Sequence, residues 1–155
     1  MEVTYRPARP ADAVAVSQLI AGFAESRLML PRPVSEVYDM VRDLVLAEAE
    51  TGGLVGCVAL HIETDRIAEV KALAVAPAAQ GHGVGRALVE AAMVEARRLG
   101  LERVFCLTYQ EVFFAKLGFV KVDRARLPEK VWGECVRCHR FLDCDEVAMW
   151  RPLAT

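Results

Sequence analysis

The chain has 155 residues, a length that favours a single domain with a substantial hydrophobic core. Hydrophobic residues make up 54% of it, charged residues 26%, and the formal net charge is -2. With 19 basic and 21 acidic residues there is no strong charge excess, so neither nucleic acid nor a membrane is expected as a partner. The sequence contains no apolar run near the roughly 20 residues of a membrane span and shows no export signal, so we expect a cytoplasmic protein.

The cysteine count argues against a disulfide framework. There are five cysteines, an odd number, in a chain without an export signal, and reduced thiols are therefore expected. Cys57 and Cys106 fall in strand-like runs and are predicted to lie in the core. Cys135, Cys138 and Cys144, with His139, supply the ligand types of a closed zinc site, but no second paired set accompanies them. We expect no metal, with zinc at these residues as the alternative.

The first half of the chain alternates between strand and helix patterns. A strand near Val3 and Tyr5 precedes a helix that starts after Asp12 and carries apolar residues at helical spacing up to Phe23. Two prolines then interrupt the helical pattern. Ser35 is predicted to cap a second helix whose apolar face contains Val37, Met40, Val41 and Leu44. A hairpin follows, with strands at residues 44–50 and Leu54–Ile62 around a Thr-Gly-Gly turn.

The second half contains the most regular pattern. A strand at Ile67–Val75 leads through a glycine-rich loop into a long helix that ends at Gly100. The predicted apolar stripe of that helix is Val84, Leu88, Ala91, Ala92, Ala96 and Leu99. Beyond it we expect a buried strand at Arg103–Thr108, a short helix at 112–117, and strands at 119–122 and 146–150. One mixed α/β domain over residues 1–155 follows from this order.

The glycine-rich loop indicates an anion site. It reads Gln80-x-x-Gly83-x-Gly85, and glycines let the backbone approach a ligand while unpaired N–H groups at a helix start point towards negative charge. The loop is not a Walker motif because no Gly-Lys-Ser/Thr follows, and the preceding half of the chain does not fit a dinucleotide-binding fold.

Two neighbouring motifs give the loop a family resemblance. Leu73, Ala74 and Val75 end the strand before it, and Phe113-Phe114-Ala115-Lys116-Leu117-Gly118-Phe119 lies one strand and one helix later. The chain thus resembles the Gcn5-related N-acetyltransferases, the GNAT superfamily. The resemblance implies a mixed, mostly antiparallel central sheet flanked by helices, with acyl-CoA bound where a central strand pair splays. GNAT proteins often form homodimers, and the sequence leaves the oligomeric state open.

The resemblance also implies how acetyl-CoA binds, as co-substrate. The pantetheine arm would lie along Leu73, Ala74 and Val75 like an added strand. The pyrophosphate would meet the loop. The implied cofactor-binding set is Leu73, Ala74, Val75, Gln80, Gly81, His82, Gly83, Val84, Gly85, Arg86 and Phe114.

Catalytic residues follow from the same resemblance, with one departure. The amine would attack the thioester directly, and Glu69 matches the position from which family members deprotonate it. Relatives take the general acid from a tyrosine where this chain has Phe114, which has no proton to give. Tyr109 is the nearest substitute, and water or unassisted release of the thiolate are the alternatives.

The segments around Pro31, Lys71 and Trp132 resemble short, single-domain N-acetylglutamate synthases over nearly the full chain. Glutamate has two carboxylates, so its pocket needs fixed cations. Arg32 would grip one carboxylate and Lys71 the other, Leu30 would line the pocket, and Arg27 is a third, weaker cation candidate.

This resemblance implies N-acetylglutamate synthesis, the first step of arginine biosynthesis, with acetyl-CoA and glutamate or another amino acid as small-molecule partners. Acetylation of another small amine or of a protein N-terminus is the enzymatic alternative. A CoA-binding or zinc-stabilised regulatory module without turnover is the alternative of another class.

Overall fold

The computed structural model describes residues 1–25, 31–128 and 146–153. These residues form seven strands and four α-helices. The strands are β1 (Val3–Pro7), β2 (Leu44–Ala49), β3 (Leu54–Ile62), β4 (Ile67–Val75), β5 (Arg103–Thr108), β6 (Val120–Lys121) and β7 (Val147–Pro152). The helices are α1 (Ala13–Glu25), α2 (Val34–Met40), α3 (Val84–Arg98) and α4 (Glu111–Lys116). Among the described residues, none of the helices has both the length and the apolar character that a membrane span requires.

The strands form one sheet in the order β1-β2-β3-β4-β5-β7-β6. Pairing is antiparallel between β1 and β2, β2 and β3, β5 and β7, and β6 and β7, whereas β4 and β5 run parallel. The predicted mixed, mostly antiparallel sheet flanked by helices is therefore confirmed. The parallel ladder covers three residue pairs and ends at Glu69 opposite Phe105.

Contacts group the chain into two compact units. The N-terminal unit contains Met1–His61 and Val70–Ala92, and the C-terminal unit contains Ile62–Glu69 and Met93–Thr155. The boundary therefore falls within β4 and within α3. The single-domain organisation stays a prediction.

Helices cover both faces of β3 in the N-terminal unit. Cys57 and Ala59 belong to a buried cluster with apolar residues of α1, α2, β2 and β4. Gly56 faces the opposite side, as alternation along a strand requires, and lies against α3. A Cβ placed on Gly56 would lie 3.0 Å from Leu88 Cδ1, 3.2 Å from Val84 Cγ1 and 3.2 Å from the Ala74 carbonyl oxygen. Only glycine allows this approach.

The C-terminal unit has its own core. Ile67, Phe105, Leu127 and Ala148 are buried together, with Trp150 packed partly against them. Leu127 follows a 3-10 turn at Arg124–Arg126, so this turn covers one face of the strands.

Three predicted local features were wrong. Ser35 lies inside α2, which begins at Val34 after Pro33, because proline already has the extended φ of an N-cap residue. Val41 and Leu44 do not belong to the face of α2, since a 3-10 turn at Val41–Asp43 follows the helix and Leu44 begins β2, where the predicted strand also begins. Leu99 is 43% exposed. It follows the last residue of α3, where the chain turns through Gly100 with φ of 78°.

The buried face of α3 is also wider than predicted. Val89 and Met93 lie on it with Val84, Leu88, Ala92 and Ala96, whereas Ala91 is only partly buried. The remaining elements agree with the prediction to within two residues at each end.

The Gly56 contact predicts a localised stability loss. Gly56→Ala should lower the free energy of unfolding by roughly 1–3 kcal/mol, because the added methyl group meets a backbone carbonyl that cannot move away freely. Gly53→Ala is the matched control, since a Cβ there meets nothing within 4 Å. Urea unfolding measures both variants, and equal stability of the two would contradict this packing.

Candidate active site

Strand β4 is interrupted at Ala72. This residue has φ of 54°, in the left-handed region, and it is the only described non-glycine residue with positive φ. An L-residue there costs about 1–2 kcal/mol, so the surrounding structure must hold the conformation in place. Burial still alternates from Val70 to Val75, so the left-handed residue changes the backbone before the glycine loop without breaking that alternation.

Cys57 contacts the backbone of β4 at Ala72 and at Ala74. Its thiol donates to the Ala72 carbonyl at 3.3 Å between sulfur and oxygen. Burial raises the pKa of Cys57 to about 12, while a hydrogen bond from the Ala74 backbone acts in the opposite direction. The group therefore stays a thiol at neutral pH and keeps the proton that it donates. Cys57 was predicted as a core residue, which the structure confirms, but its contact with β4 was not foreseen.

The glycine-rich loop connects β4 to α3 through two left-handed glycines. Gly81 has φ of 83° and Gly83 has φ of 76°, and a Cβ at either position would meet no atom within 4 Å. The Gln80 side-chain amide donates to the Val75 carbonyl at 3.1 Å, which ties the loop to the end of β4. Glycine is thus required for backbone conformation here, and the side that a side chain would occupy is open.

Helix α3 begins at Val84, directly after these glycines. The first N–H groups of a helix have no intrahelical partner and carry partial positive charge, which favours an anion. His82 and Arg86 are exposed beside them and Gly85 is half-buried. The predicted loop residues are therefore adjacent, and they combine backbone donors with one permanent cation.

Arg32 and Lys71 are the described cation candidates for a substrate carboxylate. Arg32 is 9% exposed, its backbone carbonyl accepts a hydrogen bond from Ser17 Oγ at 2.6 Å, and its Nη1 lies 3.9 Å from Glu36 Oε2. Lys71 is half-buried on β4, one residue before Ala72. Leu30 and Arg27 lie outside the described residues.

Glu69 is a buried carboxylate in the C-terminal unit. It is 7% exposed and pairs with Phe105 at the end of the parallel ladder. Burial raises the pKa of Cys106, and the negative charges of Glu69 and Glu146 raise it further. Cys106 is therefore a protonated neighbour, and Glu69 has the burial expected of a functional acid or base.

The aromatic residues of the same unit differ in exposure. Phe114 is 4% exposed and packs edge-on against Phe113 and Phe119, at ring-centroid distances of 5.0 Å and 5.2 Å. Tyr109 follows β5 and is 41% exposed. Its hydroxyl is chemically able to donate a proton, whereas the Phe114 ring is not.

The alternative of a zinc site at the C-terminal thiols stays a prediction. It concerns residues outside the described ranges, namely Cys135, Cys138, His139 and Cys144. Within the described ranges, no three His, Cys, Asp or Glu side chains group as metal ligands would.

Two features of the site were missed in the sequence. A glycine inside a strand is a recognised sign of close backbone approach, so Gly56 carried a usable signal. The left-handed Ala72 carried none, since alanine gives no indication of positive φ.

The match to a family model decides the relationship. The model for the acetyltransferase (GNAT) domain matches residues 41–121, which include β4, the glycine loop and α3. The chain belongs to the GNAT acetyltransferases. The predictions of this family and of an acyltransferase enzyme are thereby confirmed.

Similar proteins extend the relationship of this GNAT chain beyond the matched segment. It is 36% identical to an uncharacterized N-acetyltransferase of Chlorobaculum tepidum, over 96% of this chain and 95% of that one. It is 35% identical to an amino-acid acetyltransferase of Mycobacterium tuberculosis, over 92% and 85% respectively.

A solved structure supports the same relationship. The structure of N-acetylglutamate synthase from Neisseria gonorrhoeae, complexed with coenzyme A and N-acetyl-glutamate, matches with a TM-score of 0.89 at 27% identity. The match covers 100% of this GNAT chain and 36% of that synthase chain.

The raised thiol pKa values predict slow labelling of the native GNAT chain. In a variant with Cys135, Cys138 and Cys144 changed to serine, Cys57 and Cys106 should react with Ellman's reagent only as fast as the structure opens. Stopped-flow labelling at pH 8, with and without denaturant, measures this. Labelling of either thiol at the rate of free cysteine would contradict the described burial.

Proposed function

We propose that the protein transfers the acetyl group of acetyl-CoA to the amino group of L-glutamate, giving N-acetyl-L-glutamate and CoA. This is the first step of arginine biosynthesis, and we assign the protein to the cytoplasm. The single observation that carries the proposal is the match of the whole chain to a synthase structure holding CoA and N-acetyl-glutamate. Relatives named amino-acid acetyltransferases support it.

The glycine loop is proposed to hold the pyrophosphate of acetyl-CoA. Two left-handed glycines, an open side and the start of a 15-residue helix present backbone N–H groups that suit a dianion. Arg86 adds a side-chain cation, while Gln80 and His82 flank the loop. The pantetheine arm would run along the backbone of Leu73, Ala74 and Val75, and we assign Phe114 to the same cofactor.

Acetyl transfer is proposed to occur without an acyl-enzyme. The neutral amine attacks the thioester carbonyl, a carbon–nitrogen bond forms, and the carbon–sulfur bond breaks. Glu69 takes the proton from the ammonium group, directly or through water, and its burial suits a base that acts away from bulk solvent. The departing thiolate takes a proton from Tyr109, with water as the alternative source because Phe114 has no hydroxyl group. The nitrogen loses its second proton as the amide forms, and this proton restores the Tyr109 hydroxyl group through solvent.

Arg32 and Lys71 are proposed to bind the two carboxylates of glutamate, with Leu30 against its carbon chain. A guanidinium group binds a carboxylate through two parallel hydrogen bonds. Arg32 suits this role because its backbone is held by Ser17, so less conformational freedom is lost on binding. Its neighbour Glu36 would have to give way, or share the guanidinium group, when the substrate carboxylate arrives.

Two alternatives differ from this proposal in measurable ways. If Arg32 and Lys71 did not bind substrate carboxylates, the same site would acetylate another small amine or a protein N-terminus. The phenylalanine at position 114 supports a second alternative, a regulatory module that binds acetyl-CoA without turnover. That alternative gives tight acetyl-CoA binding with no acetylated product. Homodimer formation stays a prediction.

An amine panel tests the proposed reaction. Purified protein with acetyl-CoA should release CoA fastest with L-glutamate, because a neutral or basic side chain leaves one cationic group without its carboxylate. Aspartate, glutamine, alanine, lysine and a peptide amine are the comparisons, and mass spectrometry identifies the product. If glutamate reacts no faster than alanine or lysine, the substrate assignment is wrong.

Substitution of the guanidinium group tests carboxylate recognition. Arg32→Gln should raise the KM for glutamate roughly 10- to 100-fold and leave the KM for acetyl-CoA within about twofold, because one charge-assisted contact is lost. Arg42→Gln is the matched control, since Arg42 is exposed in the turn after α2. An equal rise in both KM values for Arg32→Gln would exclude this role.

Substitution of the proposed base should lower turnover in a pH-dependent way. Glu69→Gln should reduce kcat roughly 100-fold or more near pH 7, and the defect should narrow as pH rises and more amine loses its proton unaided. Glu50→Gln, at an exposed carboxylate after β2, should change nothing. A defect of constant size from pH 7 to pH 9.5 would argue for a structural role of Glu69 instead.

A further inference from the structure

A cavity in the C-terminal unit is lined by none of the residues assigned above to acetyl transfer. It has a volume of about 260 Å³ and its polar lining consists mainly of arginines. We name it the arginine pocket, defined by Arg66, Arg103 and Arg126 with Thr64, Glu102 and Trp150. These residues come from the turn before β4, the start of β5, the 3-10 turn at Arg124–Arg126, and β7.

Two of the arginines stack on one tryptophan. The guanidinium carbon of Arg103 lies 4.5 Å from the centre of the Trp150 ring, and that of Arg126 lies 4.8 Å from it. Since both distances are measured from the same ring centre, the guanidinium carbons of Arg103 and Arg126 are no farther apart than the two distances together. The cation–π contacts hold both guanidinium groups beside the same ring, and the N–H groups of a guanidinium group can bind an anion.

Backbone hydrogen bonds hold the turns that carry these arginines. The Arg66 carbonyl accepts from the N–H groups of Glu102 and Arg103 at 2.8 Å and 3.3 Å. Thr64 Oγ1 accepts from the N–H groups of Arg66 and Ile67 at 3.1 Å and 3.2 Å. The carboxylate of Asp123 accepts from Ala125 N–H at 2.9 Å, which caps the turn ending at Arg126. These bonds fix the backbone of the turns that carry the arginines, whose side chains are exposed at Arg66 and Arg126 and half-buried at Arg103.

Among the described residues, the positive charge of the pocket is only partly balanced. In residues 1–25, 31–128 and 146–153, no carboxylate forms an ion pair with Arg66, Arg103 or Arg126. Among the described lining residues Glu102 is the one acid, so these residues carry a formal excess of two positive charges in a chain whose net charge is -2. Like charges gathered in this way repel each other unless an anion joins them.

We propose that the arginine pocket binds a small dianion, either a phosphate group or a dicarboxylate. Both present oxygens in the geometry that a guanidinium edge pairs with bidentately, and a charge of -2 matches the excess of the lining. The volume of about 260 Å³ lies below the range of typical cofactor pockets, which restricts the ligand to a small metabolite. The pocket shares no residue with the proposed glutamate site, so its ligand would bind in addition to the substrate.

Tryptophan fluorescence tests the proposal directly. In a Trp132→Phe variant Trp150 is the single tryptophan, and it lies under the two guanidinium groups that would bind the anion. Saturating CoA is present throughout, so that the glycine loop cannot be the phosphate site. Inorganic phosphate and succinate are titrated separately, with sodium chloride at matched ionic strength as the control. Calorimetry on the chain with both tryptophans gives the same affinities if the variant fails to fold.

We expect the fluorescence of Trp150 to change saturably with phosphate, with succinate, or with both, at millimolar or lower concentration. Arg66→Gln and Arg126→Gln should each weaken that binding about tenfold or more, whereas Arg97→Gln, at an exposed position near the end of α3, should not. A response to one anion alone identifies the ligand class. The proposal is overturned if neither anion binds, or if binding survives Arg126→Gln, since it would then belong to another site.

Discussion

The close approach of α3 to Gly56 is the constraint on which the rest of the N-terminal unit depends. Because Gly56 has no side chain, Val84 and Leu88 of α3 contact the backbone of β3. The Ala74 carbonyl of β4 also lies close to Gly56. The first turn of α3 and the end of β4 are thereby fixed against one strand. The glycine loop has only to connect them, and two left-handed glycines make that short connection. The N–H groups at the helix start are held in place by packing rather than by the loop itself.

Strand β4 carries a second constraint, within the same unit. Ala72 adopts a left-handed conformation in the middle of an otherwise extended strand, and Cys57 contacts the backbone at Ala72 and at Ala74. A protonated, fully buried thiol suits this position because it donates one weak hydrogen bond without the desolvation penalty of a charge. In the proposed reaction Ala72 separates two roles of β4, the substrate contact of Lys71 before it and the cofactor contacts of residues 73–75 after it.

Sequence alone predicted the elements whose signal is local. β3, β4 and β5 were located to the residue, because turn residues and alternating apolar residues mark their ends. The start of α2 and the limits of its apolar face were wrong, since a proline and a 3-10 turn replaced the expected cap and the expected last helical turn. The glycine loop was predictable because glycine is the residue type that its φ values demand. Ala72 and the arginine pocket were not, because a left-handed alanine has no sequence signal and the pocket joins residues far apart in the chain.

Amide hydrogen exchange with and without CoA tests the central claim most directly, since it measures the loop N–H groups themselves. If the start of α3 binds the pyrophosphate, CoA should slow exchange at residues 81–86 by an order of magnitude or more, and at 73–75 if the pantetheine arm lies along β4. The exchange rates of amides in α2, which contains none of the proposed cofactor-binding residues, should change far less. Protection at α2 equal to that at the loop, or no protection of residues 81–86 at saturating CoA, would contradict the account.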